Sequence, residues 1–396
     1  MKLLRGLLIL SALSIGSGAN AQGLVGFAGD DDFYSALPFT TSLGVDFGWD
    51  SNPGATSLGD AQDTAFVRGG ADLAWGGGSR TTPIRIAGSL SGLYYFDEVE
   101  RLDEEFFWNT RLSVNISHSV NRRLTVGSNS FISYEIEPDY AVGFSLQNRS
   151  GQYLYGYNSF WATYQLSRRL NAVTRYEISG ILYDEGEFNS EDRFVQTIRE
   201  ELRFKWTRLT TLIGEYRFSN THFSESNRDS DSHFFLIGAD RNLSRQLTSH
   251  YRVGAQIRRD TFGDSERPYA ELAYRYQLAE KTSLHFANRL SLEESEIAGF
   301  RERYTWRSVL SVRHQITARL NGNASLVYLH NEFSGSTSFT RPDRSEDLVS
   351  GTLGLSYLVL SNLSVNANYS FTSVHSDDEF REYDRHRVSL GMSTTF

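Results

Sequence analysis

One short pattern recurs along the chain and organises everything between its copies: an apolar residue, then Ser, Thr or Asn, a basic residue close by, Leu, and a small polar residue. It reads Val120-Asn121-Arg122-Arg123-Leu124-Thr125, Leu166-Ser167-Arg168-Arg169-Leu170-Asn171, Leu243-Ser244-Arg245-Gln246-Leu247-Thr248 and Ile316-Thr317-Ala318-Arg319-Leu320-Asn321. Leu360-Ser361-Asn362-Leu363-Ser364 is a further copy, with looser ones at Trp206-Thr207-Arg208-Leu209-Thr210 and Leu278-Ala279-Glu280-Lys281-Thr282. Reference positions 124, 170, 209, 247, 282, 320 and 363 lie 35 to 46 residues apart, which accommodates two strands and one long loop per unit. Gly76-Gly77-Gly78-Ser79-Arg80 marks another turn about one period upstream.

Between these turns the chain alternates with period two, as a strand with one apolar and one polar face does. Leu43, Val45, Phe47 and Trp49 share one parity; Leu112, Val114 and Ile116 do the same, and so do Leu363, Val365, Ala367, Tyr369 and Phe371. With 26 Phe, 21 Tyr and 6 Trp against 2 Met, composition also favours pleated structure. The alternating segments read as about 10 to 14 residues, longer than strands of a soluble sheet and suited to a tilted membrane crossing. Between the short turns lie polar, acid-rich stretches, Asp97 to Glu105, Asp184 to Asp192, Thr221 to Ser232, Glu294 to Glu302, Ser334 to Asp347 and His375 to Asp384. Short turns at one end and long loops at the other predict an all-β transmembrane antiparallel up-and-down β-barrel of 18 strands, or 16 if one ambiguous pair is absent.

The ends of the chain fit that placement. Lys2 and Arg5 precede an apolar run from Leu7 to Ile15, followed by Ala19-Asn20-Ala21, the layout of a secretory signal peptide over residues 1–21. Residues 22–38 then read as a leader or small plug, whose Phe27, Phe33 and Tyr34 could fold inward, and residues 39–396 as the barrel. No Cys is present, which excludes a disulfide scaffold, a thiolate metal site and a cysteine nucleophile. A formal charge of −9 excludes the basic footprint of a nucleic-acid protein, so no nucleic-acid partner is expected. Aromatics just before the short turns (Trp75, Tyr164, Phe204, Trp206, Tyr274, Tyr276, Tyr357) and beside the long loops (Trp49, Tyr94, Phe96, Trp108, Phe218, Trp306, Phe371) form two interfacial girdles. The last segment alternates to a terminal Phe396, resembling the signal that outer-membrane barrels present to the barrel-insertion machinery. Thr394 departs from the usual aromatic or aliphatic residue within that signal. The predicted location is the outer membrane of a Gram-negative bacterium, with cleavage near Ala21 and lipid and lipopolysaccharide as surroundings.

If the apolar parity faces lipid, the opposite parity lines the lumen. The candidate path residues are Arg111, Arg175, Arg199, Arg203, Lys205, Arg217, Arg252, Arg275, Arg289, Arg307 and Arg313, with Arg68, Arg85, Arg193, Arg258 and Arg387 on the same parity. The inward acids are Asp46, Asp72, Glu135, Glu177, Glu201, Glu215, Asp240, Glu271 and Glu293, so cations exceed acids on a wall belonging to an acidic chain. Fixed cations in a low-dielectric channel attract anions, and the guanidinium fork suits carboxylate and phosphate. Alternatively the arginines pair with wall carboxylates and stiffen the barrel. Asp30-Asp31-Asp32 and Asp377-Asp378-Glu379 lack the spacing of a calcium loop, so no metal or other cofactor is expected. No nucleophile elbow or metalloprotease motif occurs; His330-Asn331 with Ser334 nearby is the one grouping with any catalytic character, and no enzyme is expected.

After the first strand, Val45-Asp46-Phe47-Gly48-Trp49-Asp50-Ser51-Asn52-Pro53 resembles the early Gly-Tyr-Asp-Ser-Asn segment of the putative β-barrel porin type 2 family, with Trp49 in place of Tyr. The similarity spans roughly Leu43 to Phe396. It implies a signal-bearing outer-membrane barrel, in a family some of whose members are encoded beside exopolysaccharide genes, and it carries over no binding residue. Two functions are consistent with these features. One is a porin-like channel passing anionic solutes or an acidic exopolysaccharide. The other is a non-conducting structural or adhesion barrel with acidic surface loops.

Overall fold

A computed structural model describes residues 39–57, 61–99, 102, 104–136, 152–184, 191–224, 226–295, 299–336 and 343–396. The signal-peptide and plug segments, residues 1–38, lie outside the described residues. Six strands open the barrel, β1 (Phe39–Asp50), β2 (Thr64–Ser79), β3 (Thr82–Tyr95), β4 (Phe106–Ser119), β5 (Leu124–Glu135) and β6 (Tyr153–Gln165). Six more continue it, β7 (Leu170–Tyr183), β8 (Arg193–Lys205), β9 (Thr210–Phe223), β10 (Ser230–Asn242), β11 (Leu247–Asp260) and β12 (Gly263–Ala279). The last are β13 (Thr282–Glu294), β14 (Phe300–Gln315), β15 (Leu320–Ser336), β16 (Arg344–Leu360), β17 (Leu363–Ser376) and β18 (Tyr383–Thr395). Every strand pairs antiparallel with its neighbour in sequence, and β1 pairs with both β2 and β18, closing the ring. Closure leaves no sheet edge with unpaired backbone groups to meet lipid.

The recurrent pattern owes its form to the turns. In the β6–β7 turn Ser167 N–H donates to Leu170 C=O at 3.0 Å, while Ser167 Oγ accepts from Arg169 N–H at 3.2 Å and Leu170 N–H at 3.1 Å. Asn121, Thr207, Ser244 and Thr317 do the same for the residues two and three positions on. A short side-chain oxygen at that position therefore satisfies two amides that a four-residue turn leaves without a strand partner. The residue before each new strand also accepts from the next hairpin, as Arg169 C=O does from Lys205 N–H at 2.8 Å, linking successive turns around the rim.

The outer surface carries the apolar parity. Phe47, Leu202, Ile237, Leu353 and Leu390 are exposed, Ile237 by 68 %, whereas inward Arg258 is exposed by only 1 %. That inversion is what a lipid solvent selects. Among the described residues no helix is long and apolar enough to cross a membrane.

Two features differ from the sequence reading. Strands run to 17 residues, so parts of the stretches expected as loops, such as Thr221–Phe223, Ser334–Ser336 and Arg344–Asp347, continue the ladder beyond the span needed to cross a bilayer. At the loop end β11 and β12 are joined only by Thr261 and Phe262, where Asp260 Oδ1 accepts Phe262 N–H at 2.7 Å and Gly263 takes φ 137°. Nor is the inward parity polar throughout. Phe66, Leu93, Tyr95 and Phe107 point inward at the loop end and bury Val99, Leu102 and Ile136, while Leu329, Leu348, Val374 and Tyr383 bury Ala55. Loop residues thus pack on the inner wall at that end, and the hydrophobic core of this barrel sits inside its loop-side mouth.

Candidate functional site

Period two places alternate residues of β7 to β14 on one continuous inner wall, and register brings their charges level. Glu177 on β7 accepts from Tyr157 OH at 2.8 Å and pairs with Arg175 at 3.9 Å and Arg199 at 3.4 Å. Glu215 on β9 meets three guanidiniums, Arg217 at 2.7 Å, Arg252 at 3.4 Å and Arg199 at 3.5 Å. Asp240 on β10 pairs with Arg252 at 3.0 Å, with His250 at 3.1 Å and with Arg203, which also reaches Glu201 at 3.1 Å. Glu293 on β13 closes the series with Arg289 at 2.6 Å and Arg303 and Arg307 each at 3.1 Å. Glu177, Glu215, Asp240 and Glu293 are each shared by two or three cations, which is how a wall with a cationic surplus satisfies its charges.

A cavity of about 320 Å³ opens on this wall, bordered by Arg217, Gln256, Tyr269, Arg289, Glu293 and Arg303. The Arg217 guanidinium lies over Phe234 at 5.0 Å and Tyr269 at 5.4 Å, so aromatic faces hold it in place. The inward residues of the adjoining strands β15 to β17 are of a different kind. Ser325 bonds Thr352 at 2.6 Å and Ser350 bonds Thr372 at 3.0 Å, with Asn323, Ser356 and Asn368 continuing a hydroxyl and amide surface. The lumen is therefore charged on one sector and neutral on another.

All eleven candidate path residues sit on the inward parity, but in two populations. Arg111 makes a two-pronged contact with Glu135, at 2.9 and 3.2 Å; like it, Arg175, Arg199, Arg203, Arg217, Arg252, Arg289 and Arg307 are ion-paired. The side chains of Lys205, Arg275 and Arg313 make no hydrogen bond or ion pair among the described residues. Sequence reading missed Arg303 and Arg385 on the basic side and Asp50, Asp260 and Glu346 on the acidic side. Arg303 and Arg385 each lie just past a stretch taken for a loop, where strand alternation in fact continues.

The Asp50-Ser51-Asn52 stretch has a structural task at the seam. Asp50, fully buried, takes Arg385 at 2.6 and 2.9 Å, Arg387 at 3.0 Å and Tyr95 OH at 3.3 Å. Ser51 Oγ accepts His386 N–H at 2.8 Å, and Asn52 Nδ2 donates to Asp384 C=O at 3.3 Å. Three consecutive residues at the end of the first strand thus clasp the last one. Phe396 completes the other end of the seam through Thr41, with N–H to C=O distances of 2.8 and 3.2 Å, and leaves its ring exposed. His330 Nδ1 lies 2.9 Å from Asp347, but Ser334 donates to Glu302 at 3.5 Å and makes no bond to His330 among the described residues. Asp377 and Asp378 are engaged by Ser345 and Arg344.

Solved structures similar to this chain include OccAB3 of Acinetobacter baumannii, at 12 % identity over 90 % of this chain and 99 % of that one, with a TM-score of 0.44. OccK2 (OpdF) of Pseudomonas aeruginosa, solved in complex with glucuronate, shares 11 % over 90 % and 98 %, at 0.47. The outer membrane protein OpdK of the same organism shares 10 % over 90 % and 99 %, at 0.44. No curated protein matches the sequence. The Gly48-Trp49-Asp50-Ser51-Asn52 segment lies outside the part of the chain that a family model recognises. Residues 218–396 match the family described as putative beta-barrel porin 2, and the whole described chain closes as an 18-strand antiparallel β-barrel.

Proposed function

We infer that the barrel passes anionic cargo, either small carboxylate solutes or an acidic exopolysaccharide, across the outer membrane of a Gram-negative bacterium. The observation that carries this reading is the inner wall of β7 to β14, where arginines outnumber carboxylates around a cavity and adjoin a neutral hydroxyl sector. Fixed cations of this kind lower the electrostatic barrier to an anion, and the neutral sector lets it slide without a second binding partner. Cleavage near Ala21 and recognition of Phe396 by the insertion machinery belong to the same reading, as does lipopolysaccharide around the acidic loops. A non-conducting structural barrel is the second reading, favoured by the loop residues Ala55, Val99 and Leu102 packed on the inner wall.

Swelling of proteoliposomes in isotonic glucose or gluconate separates the two. Wild type is expected to admit gluconate several-fold faster than glucose, and Lys205→Gln, Arg275→Gln and Arg313→Gln combined to abolish that preference while glucose flux persists. Equal rates for both solutes in wild type count against the anionic reading; no swelling with folded protein favours the structural one.

A further inference from the structure

The short turns carry a charge that their folding does not require. The cap in five copies of the repeat uses a Ser, Thr or Asn oxygen and two backbone amides, so the basic residues in between contribute backbone groups alone. Yet each of the five capped turns carries arginine: Arg123, Arg169, Arg208, Arg245 and Arg319, doubled by Arg122 and Arg168 in the first two. All are exposed, and none of their side chains makes a hydrogen bond or ion pair among the described residues. Glu280 is the one acid in all eight turns. Just inside the same mouth lie inward cations whose side chains have no partner among the described residues, Arg85 near the start of β3, Lys205 at the end of β8, Arg275 on β12 and Arg313 on β14. The rim and the first layer of the lumen are thus cationic around the ring, in a chain of net charge −9 whose acids gather at the opposite end.

We propose that this turn-side mouth captures a carboxylate-bearing linear polymer and feeds its end into the lumen. The proposal names the substrate class of the channel inferred above and rests on that reading. A single exposed arginine–carboxylate pair is weak and is screened within about 8 Å at physiological salt, so a lone small anion is not retained there. A polymer with a charge on every residue engages several turns at once, and the separate weak pairs act as one multivalent contact. Because short turns face the periplasm in outer-membrane barrels, capture occurs on the side from which an exported chain arrives.

The test uses purified full-length barrel in nanodiscs of zwitterionic lipid, with fluorescent poly-L-glutamate as ligand and uncharged dextran of matched length as control. Wild type is expected to bind polyglutamate but not dextran. Arg123→Gln, Arg169→Gln, Arg245→Gln and Arg319→Gln combined should weaken binding at least tenfold while leaving open-channel conductance unchanged. Should the combined variant fold poorly, the Arg168→Gln, Arg169→Gln pair is expected to give a several-fold loss. In bilayers with oriented insertion, polyglutamate should block current from the turn side only. Equal affinity in wild type and variants, or block from the loop side, overturns the proposal. Polymer binding lost in the variants but with no current in wild type sinks the channel and leaves capture standing. Anion-selective current with no polymer binding does the reverse.

Discussion

Replacing Glu293 with Ala is expected to destabilise the folded barrel by about 3–5 kcal/mol, the usual cost of removing one partner from a buried ion cluster. Its carboxylate is the shared counter-ion of Arg289, Arg303 and Arg307, at 2.6 to 3.1 Å. The Arg303 and Arg307 side chains are only 2 % and 6 % exposed. Without the acid, those guanidiniums face one another across β13 and β14 with little water to screen them. Urea unfolding followed by tryptophan fluorescence, together with heat-dependent mobility on gels, measures the loss. Adding Arg303→Met to Glu293→Ala should recover part of it, since the second change removes one uncompensated charge. A loss below about 1 kcal/mol would mean that water already solvates the cluster.

Asp50→Ala should have a comparable effect by a different route, also about 3–5 kcal/mol, and should act on closure itself. Asp50 gathers Arg385, Arg387 and Tyr95 where β1 meets β18, strands 335 residues apart in sequence at this contact. Room at the seam is tight: a Cβ on Gly391 would lie 1.9 Å from the Asp46 carboxylate, so a side chain there cannot substitute for the lost clasp. Because the ring is closed only by this pairing, the variant is expected to accumulate as protease-sensitive, unclosed chain during refolding into detergent. Asp50→Asn, which keeps an acceptor but not the charge, should fall between. Normal folding yield and protease resistance in Asp50→Ala would show that the backbone ladder of β1 and β18 closes the ring unaided.

The barrel was legible because two of its signals are local. A Ser, Thr or Asn two or three residues before Leu marks five of the turns through its own side-chain bonds, and period two then assigns every following residue to lipid or lumen. Strand number and the inward placement of the eleven candidate cations follow from those alone. Partners do not, because pairing depends on register between strands: nothing in the local sequence says that Glu215 will be shared by Arg199, Arg217 and Arg252. The loop end was read least well. There, Phe66, Leu93 and Tyr95 have lumen parity yet are apolar, because loop residues Val99 and Leu102 cover them. The tight β11–β12 turn escaped notice for a related reason: Asp260-Thr261-Phe262-Gly263 lacks the capped pattern and draws instead on one aspartate and a glycine at positive φ. The Asp50-Ser51-Asn52 motif pointed to a family, and only the fold shows that it is a clasp.

Single-channel recording in planar bilayers under a salt gradient tests most directly whether this barrel is an anion-favouring channel. Wild type should open to a steady conductance with a reversal potential displaced toward that of the anion, and Lys205→Gln, Arg275→Gln and Arg313→Gln combined should move it back toward zero. Folded, reconstituted protein that carries no current, or one whose reversal potential lies on the cation side, would contradict that conclusion.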